Sequence, residues 1–323
     1  MTSVNEQNIY PEKLYSLLKK QGYHWVGQHS ATKKCKWLHE SLVNNRPCYK
    51  EKFYGIHSHR CMQISPAVLN CLTSCLHCWR AMPEDVGSSW NSVFHGKWDN
   101  PEYIADGLFL EHRRILSGYN AQVIAGLVDG KKYGESLKPN QVAISLSGEP
   151  TLYPYLPELI NVLKKRGCTV FLVTSGVIPN AIEKLIDEGC EPTMMYLSLT
   201  SPNLEKYLKI NRPISPDIWD SLVRSIEVLR EFKCKTVLRI TAIRNINMFS
   251  KDISDFANII INSNSEIEVK GYMHVGFSTN RLSEVNMPLF SEIKDFSENL
   301  GDSIGYKVKD SSIESRVILL SRS

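Results

Sequence analysis

From residue 59 onward the chain alternates short apolar, β-branched runs with amphipathic stretches. Strands are predicted at 60–65, 142–147, 169–174, 194–199, 236–243 and 267–273. Helices are predicted between them at 101–116, 121–128, 155–166, 179–188, 203–208, 216–232 and 251–262. The long one carries Ile218, Leu222, Ile226 and Leu229 at helical spacing on one face. Strands separated by helical segments build parallel βαβ units. Six such units predict an α/β fold, a curved, partial (βα)6 TIM-like barrel rather than a closed eight. Upstream, 11–21 reads as a short helix and Gly22-Tyr23-His24-Trp25 as an aromatic loop, while 31–58 has weak periodicity. Downstream, a helix at 289–299 and two short strands follow Leu282. The pattern divides the chain into an N-terminal extension (1–58), a barrel (59–281) and a C-terminal extension (282–323), without internal repeats or low-complexity linkers.

Composition narrows the class. The chain has 323 residues, 42% of them apolar and 22% charged, as expected of a soluble globular protein. There is no apolar signal core at the start, and no run approaches the ~18 apolar residues of a membrane span. A cytoplasmic protein is expected. Charge is unevenly spread: residues 1–60 hold 10 Lys and Arg against 4 Asp and Glu, in a chain whose net charge is +4. A basic N-terminal region on a near-neutral body suits an anionic partner such as nucleic acid, although a merely solvated basic surface fits the charge equally well.

The cysteines carry more information. Six of nine (Cys35, Cys48, Cys61, Cys71, Cys75 and Cys78) fall within 44 residues. In a chain without an export signal, such clustering favours metal over disulfides. Cys168, Cys190 and Cys234 stand singly beside element ends and read as inert buried thiols. Cys71-x3-Cys75-x2-Cys78 follows the first barrel strand, and a tight loop of this kind can turn three thiolates toward one point. Iron–sulfur clusters are held by Cys thiolates, and a cube with three ligands leaves one iron open. Zinc is the rival reading, but a structural zinc site takes four ligands, commonly from two C-x2-C knuckles, and no second knuckle is present.

Barrel enzymes place their chemistry at the C-terminal ends of strands. There the chain puts the three-Cys loop, Gly148-Glu149-Pro150, Thr174-Ser175-Gly176 and Ser198 to Ser201. The earlier thiols are evenly spaced, Cys35-x12-Cys48-x12-Cys61, and look like a second three-Cys cluster with its own open iron. Three separate structural thiols are the alternative. Lys50 lies two residues past Cys48, and a lysine whose pKa is lowered by burial or a neighbouring cation can form a Schiff base with a carbonyl substrate. It also reads as a surface or phosphate-contacting lysine.

Both cysteine sets, with Cys78-Trp79-Arg80, Ser147-Gly148-Glu149-Pro150-Thr151 and Lys270-Gly271-Tyr272-Met273-His274-Val275-Gly276, resemble the radical SAM (S-adenosylmethionine) tRNA 4-demethylwyosine synthases of wyosine biosynthesis. The resemblance covers nearly the whole chain and is to the short archaeal form, no flavodoxin-like domain preceding residue 35. It implies a radical SAM barrel acting on N1-methylguanosine beside the anticodon of tRNA(Phe), with pyruvate as two-carbon donor. It further implies two [4Fe–4S] clusters. Cys71, Cys75 and Cys78 would hold the one that binds and reductively cleaves SAM, giving a 5′-deoxyadenosyl radical that takes hydrogen from the N1-methyl group. Cys35, Cys48 and Cys61 would hold the one that binds pyruvate. Lys50 becomes the Schiff-base residue. Gly148, Glu149 and Pro150 would receive the SAM amino group, with Thr174, Ser175 and Ser198 near its methionine or ribose. A ferredoxin- or flavodoxin-type donor would supply electrons to a monomer.

The sequence departs from this pattern at His77, where such loops more often carry Phe or Tyr, and at Thr200. Lys33, Lys34, Lys36, Arg46 and Lys52 are candidate phosphate contacts, and Trp25, Trp37 and Trp90 candidate base-stacking residues. A different radical SAM RNA-modifying enzyme and a metal-stapled nucleic-acid-binding protein are the competing readings.

Overall fold

The computed structural model describes residues 12–87, 96–261 and 263–322. The N-terminal part holds α1 (Glu12–Lys20), the hairpin β1 (Tyr23–Val26) and β2 (Ser30–Lys33), then α2 (Lys36–Val43) and α3 (Tyr49–Tyr54). The barrel follows as β3 (Cys61–Ser65), α4 (Pro101–Ser117), α5 (Asn120–Ile124), α6 (Gly130–Ser136), β4 (Gln141–Ile144), α7 (Leu156–Lys165), β5 (Thr169–Thr174) and α8 (Pro179–Asp187). It continues through β6 (Met194–Ser198), α9 (Leu204–Ile210), α10 (Ile218–Val228), β7 (Lys235–Ala242), α11 (Ser250–Ile260) and β8 (Glu266–Gly271). The chain ends with α12 (Phe290–Ile304), β9 (Tyr306–Ser312) and β10 (Val317–Arg322).

These strands form one sheet in the order β1-β2-β3-β4-β5-β6-β7-β8-β10-β9, with no pairing between its two edge strands. β3 to β8 are the six expected parallel strands. The flanking hairpins pair antiparallel, β2 onto β3 and β10 onto β8. Strand side chains alternate between faces, and that alternation divides the sheet. Ile64, Ile144, Leu172, Leu197, Ile240 and Val269 are fully buried in the layer shared with the helices. The intervening Gln63, Ser145, Val173, Ser198, Thr241 and Lys270 line the concave side. There α3 and its neighbour Ile56 pack over Phe171, Met194, Tyr196 and Val237, so the N-terminal segment lines part of the lumen.

Several expectations need correction. Gly22-Tyr23-His24-Trp25 is not a loop beyond its glycine: Tyr23 and Val26 are buried and the segment pairs with β2, Tyr23 opposite Lys33. Residues 31–58 are more ordered than their periodicity suggested, because β2 is held between two strands and α2 and α3 pack on the body. The helix expected at 121–128 stops at Ile124, where Gly126 turns left-handed (φ 71°). A separate α6 then starts at an Asp129 cap, whose side chain accepts from the Lys132 amide at 2.7 Å. Cys168 is buried, but Cys190 and Cys234 are partly exposed rather than buried.

Candidate active site

The three-Cys loop leaves the top of β3 and is clamped by three separate segments. Ser74 and Leu76 donate backbone hydrogen bonds to Asn211 (3.0 Å) and Ile210 (2.9 Å), and Thr73 bridges to Pro213. The Arg212 guanidinium fastens this edge, donating to the Ser74 carbonyl (2.5 Å), the Ser74 hydroxyl (2.7 Å) and Glu84 (2.7 Å). Behind the loop, Arg80 donates to the carbonyls of Ser145 and Leu146. Arg281 donates to the Cys78 carbonyl at 2.7 Å while paired to Asp85 at 2.9 Å, both side chains nearly buried. The pocket wall is therefore stapled by arginines to backbone oxygens, an arrangement sequence spacing does not announce.

Thr73 Oγ1 lies 3.4 Å from the sulfurs of both Cys71 and Cys75, and Asn211 Nδ2 donates to Cys75 Sγ at 3.6 Å. Burial, then the Glu149 carboxylate, pushes the Cys71 thiol up to about 11. Burial and the neighbouring Cys71 push Cys75 up to about 12. Thiols so disposed become thiolates only when a bound metal supplies compensating charge. Among the described residues no three His, Cys, Asp or Glu side chains converge as they would on a single metal ion. Cys71 and Cys75 share Thr73 as a partner, while the Cys78 sulfur lies 3.9 Å from Arg80 Nη1.

The loop after β4 faces them. Gly148 is left-handed (φ 72°), and a Cβ there would stand 1.9 Å from the Ala67 carbonyl oxygen. That close approach lets the Glu149 amide donate to Asn70 O at 2.5 Å, tying this loop to the segment that leads into Cys71. The Glu149 carboxylate is buried and accepts from Thr151 N (3.1 Å) and Oγ1 (2.7 Å), Thr174 Oγ1 (2.6 Å), and Ser175 N (2.8 Å) and Oγ (2.5 Å). It thus binds the ends of β4 and β5 together. Pro150 is buried at the start of the next turn. His77 is enclosed beside Arg80 and Arg281; burial first, then those cations, push its imidazole down to about 4.

The second thiol set also assembles. Cys35 and Cys48 occupy the positions before the first turns of α2 and α3, and Cys61 opens β3. All three are raised above the usual thiol range, chiefly by burial, and the charges of Cys35 and Cys48 further raise Cys61. Lys50, on the first turn of α3, holds its ammonium 4.2 Å from the Tyr196 ring centre and 4.7 Å from that of Phe171. Burial, then the Arg239 guanidinium, push it down to about 8 against the pull of Glu268 and the thiols of Cys48 and Cys61.

One cavity of about 750 Å³ is lined by all six cysteines together with Lys50, Gly148, Glu149, Thr174, Ser175 and Ser198. Lys33, Lys34, Lys36 and Trp37 line it too, whereas Arg46 and Lys52 do not. Arg46 stands 3.6 Å from Glu40, and Lys52 is paired with Asp310 at 2.5 Å. Trp25 packs in an apolar cluster, 5.0 Å from the Tyr15 ring, and Trp90 lies outside the described residues. Thr200 is buried, its carbonyl accepting from Asn247 at 2.7 Å.

Sequence reasoning missed the polar floor of this cavity. Glu268 is fully buried and accepts from Tyr49 (3.1 Å), Tyr54 (2.7 Å), Tyr196 (3.0 Å) and Arg239 Nε (3.0 Å). Burial works against its ionisation, but Arg239 and Lys50 hold it below the usual carboxylate range. The signal was available: Arg239 and Glu268 interrupt apolar strands at the period that points them into the lumen.

Comparison with known proteins agrees with this geometry. The radical SAM superfamily model matches residues 68–258, and one for wyosine base formation matches 267–322. The S-adenosyl-L-methionine-dependent tRNA 4-demethylwyosine synthase of Pyrococcus abyssi is 41% identical over 314 residues, covering 97% of this chain and 89% of that protein. The chain belongs to the tRNA 4-demethylwyosine synthase family. The synthase of Methanocaldococcus jannaschii is 40% identical, covering 97% of this chain and 96% of its own. Among solved structures, TYW1 with a lysine–pyruvate adduct bound is similar at a TM-score of 0.86 and 37% identity, covering 97% of each chain. Archaeal TYW1 gives 0.78 and 36%, covering 97% of this chain and 96% of that one. As in any radical SAM enzyme, this synthase-family fold implies SAM and a [4Fe–4S] cluster. No helix among the described residues is long and apolar enough to cross a membrane.

Proposed function

We propose that this chain converts N1-methylguanosine beside the anticodon of tRNA(Phe) to 4-demethylwyosine, with pyruvate as carbon donor and two [4Fe–4S] clusters. The observation that carries the reading is the single cavity that joins both three-Cys sets to Lys50. Cys71, Cys75 and Cys78 would hold one cluster, and Cys35, Cys48 and Cys61 the other. With SAM and an external one-electron donor of ferredoxin or flavodoxin type, a cluster held by Cys71, Cys75 and Cys78 would supply the chemistry for hydrogen-atom abstraction from the N1-methyl group.

The protein's own groups do the rest. The Gly148–Glu149–Pro150 turn, fixed through Glu149 to Thr174 and Ser175, shapes the shelf for the SAM amino group, with Ser198 further along the strand edge. His77 presents a neutral, flat ring on the cavity wall. Lys50, partly deprotonated at neutral pH, attacks the pyruvate carbonyl carbon and releases water as a Schiff base forms. The lysine–pyruvate adduct carried by TYW1, to which this chain is similar throughout, supports that assignment. Lys34 and Lys36, exposed at the cavity rim, suit the phosphates of an anticodon loop whose target base is splayed out of its stack. The protein is expected to act as a monomer.

Anaerobic reconstitution tests the cluster assignment. About eight irons per chain are expected in the wild type and about four in Cys35→Ala, since each cube holds four. About four irons in both proteins would remove the second cluster. Lys50→Ala should keep the full iron content yet fail to form 4-demethylwyosine from N1-methylguanosine tRNA, SAM, pyruvate and dithionite. Undiminished turnover in that variant would end the Schiff-base role.

A further inference from the structure

Of the three cations of the cavity floor, Lys50, Arg239 and Lys270, only Arg239 is ion-paired among the described residues. Arg239 is committed, its Nε 3.0 Å from Glu268 and its Nη2 3.1 Å from the Tyr49 hydroxyl. Lys270 points inward from β8, donates to the backbone carbonyl of Ser315 at 2.8 Å and lies 4.8 Å from the Tyr49 ring centre. Tyr49 is the chain neighbour of Lys50, and both lysines line the same cavity as Cys48. Around Glu268 the floor gathers three cationic side chains, Lys50, Arg239 and Lys270, while Glu149 and Glu314 line other parts of the cavity. A half-buried ammonium held by one carbonyl and one ring face keeps donors free for an anion that enters the cavity.

The chemistry of a 2-oxo acid says which anion fits. Its carboxylate is bonded directly to the carbon that the amine attacks, so its anchor must stand beside that amine. Lys270 has donors left after Ser315, and it lines the same cavity as Lys50. It also falls in the part of the chain that matches wyosine base formation rather than the general radical SAM match, as the partner of the loop between β9 and β10. We propose that Lys270 is the carboxylate anchor of the carbon donor, seating a 2-oxo acid so that its carbonyl meets Lys50. The inference rests on the Lys50 reading and adds the residue that makes the site selective for an acid over a neutral ketone.

The test is reductive trapping of [14C]pyruvate with cyanoborohydride on the reconstituted protein, followed by mapping of the labelled peptide. Wild type should label on Lys50. Lys270→Met, which keeps the length of the side chain and removes its charge, should still label on Lys50 at saturating pyruvate. Its half-saturating pyruvate should rise on the order of 10- to 100-fold, the worth of one charge-assisted hydrogen bond. Wild type should prefer pyruvate strongly over methyl pyruvate, and Lys270→Met should lose most of that preference. Iron content, SAM binding and the KM for tRNA should match wild type, and Lys270→Arg should recover part of the pyruvate affinity. The proposal is overturned if half-saturation is unchanged, if Lys270 itself carries the label, or if Lys270→Met loses iron. A raised tRNA KM at unchanged pyruvate affinity overturns it too, making Lys270 a phosphate contact. Label that persists in Lys50→Ala defeats the Lys50 reading instead, while the Lys270→Met titration still reports on the carboxylate.

Discussion

His112 shows how a single buried side chain couples this fold to pH. It sits on the inner face of α4, and its Nε2 is 3.1 Å from the Ser136 carbonyl oxygen on α6, where only a protonated nitrogen can donate. Burial first, offset in part by that carbonyl and reinforced by Arg113, pushes the imidazole down to about 4. The folded state therefore binds fewer protons than the unfolded chain between pH 6.5 and about 4. His112 thus contributes stability that is fully present above 6.5 and is lost as pH falls through that window, by at most about 1.4 kcal/mol per pH unit. His112→Gln keeps a donor at the Nε2 position and cannot titrate. Its urea midpoint should fall less than that of wild type between pH 7 and pH 5, and equal falls would refute the assignment. The same scale explains what the sequence exposed. Thiols are rare and their spacing is visible, so both cysteine sets were legible. Arg239, Glu268 and Arg281 were not, because a charged residue in a strand or loop is ordinary until the fold turns it inward.

At the scale of elements, the site depends on loops that are locked to one another. Gly148 is the pivot, since its left-handed backbone and missing Cβ let the loop after β4 touch the segment leading to Cys71. Gly148→Ala would impose a left-handed conformation costing roughly 1–2 kcal/mol and press its Cβ into a backbone carbonyl. The loop must then shift, carrying Glu149 away from Thr174 and Ser175. We expect SAM affinity to fall at least about tenfold, with the iron assigned by our proposal to the second set of cysteines unchanged. Equilibrium dialysis with SAM, alongside iron analysis, checks both halves; wild-type SAM affinity would show that the turn is not the shelf. Parallel strands and their helices were readable because each has a long, self-consistent apolar pattern. β1 and β2 were not, being four residues each and stabilised by pairing to each other and, through β2, to β3 rather than by their own composition.

Across the whole molecule, the sheet carries the N-terminal hairpin on one side of the barrel strands and β10 with β9 on the other. This placement sorts the basic residues that sequence could only count. Lys52 reaches across to Asp310 at 2.5 Å and to the Ser311 carbonyl at 2.8 Å, so its charge joins α3 to β9. Lys33 is partly buried over the rings of Tyr23 and Trp79, 4.9 and 5.3 Å from their centres. Lys34 and Lys36 are exposed at the cavity rim and make no ion pair among the described residues, lying over Tyr119 and Trp37 at 5.4 and 5.6 Å. Only uncommitted cations release counterions when they meet phosphate. Each of these two should therefore contribute about 0.7 to the slope of log affinity against log salt for a single-stranded loop. The Lys34→Ala/Lys36→Ala double variant should bind N1-methylguanosine tRNA more weakly at low salt, with the slope reduced by about 1.4. Lys52→Ala should leave the slope as it is and instead loosen the contact between α3 and β9, read as a lower thermal midpoint. Filter binding over a salt series separates the cases. An unchanged slope in the double variant, or a reduced one in Lys52→Ala, would move the tRNA contact away from the rim that Lys34 and Lys36 share with Trp37.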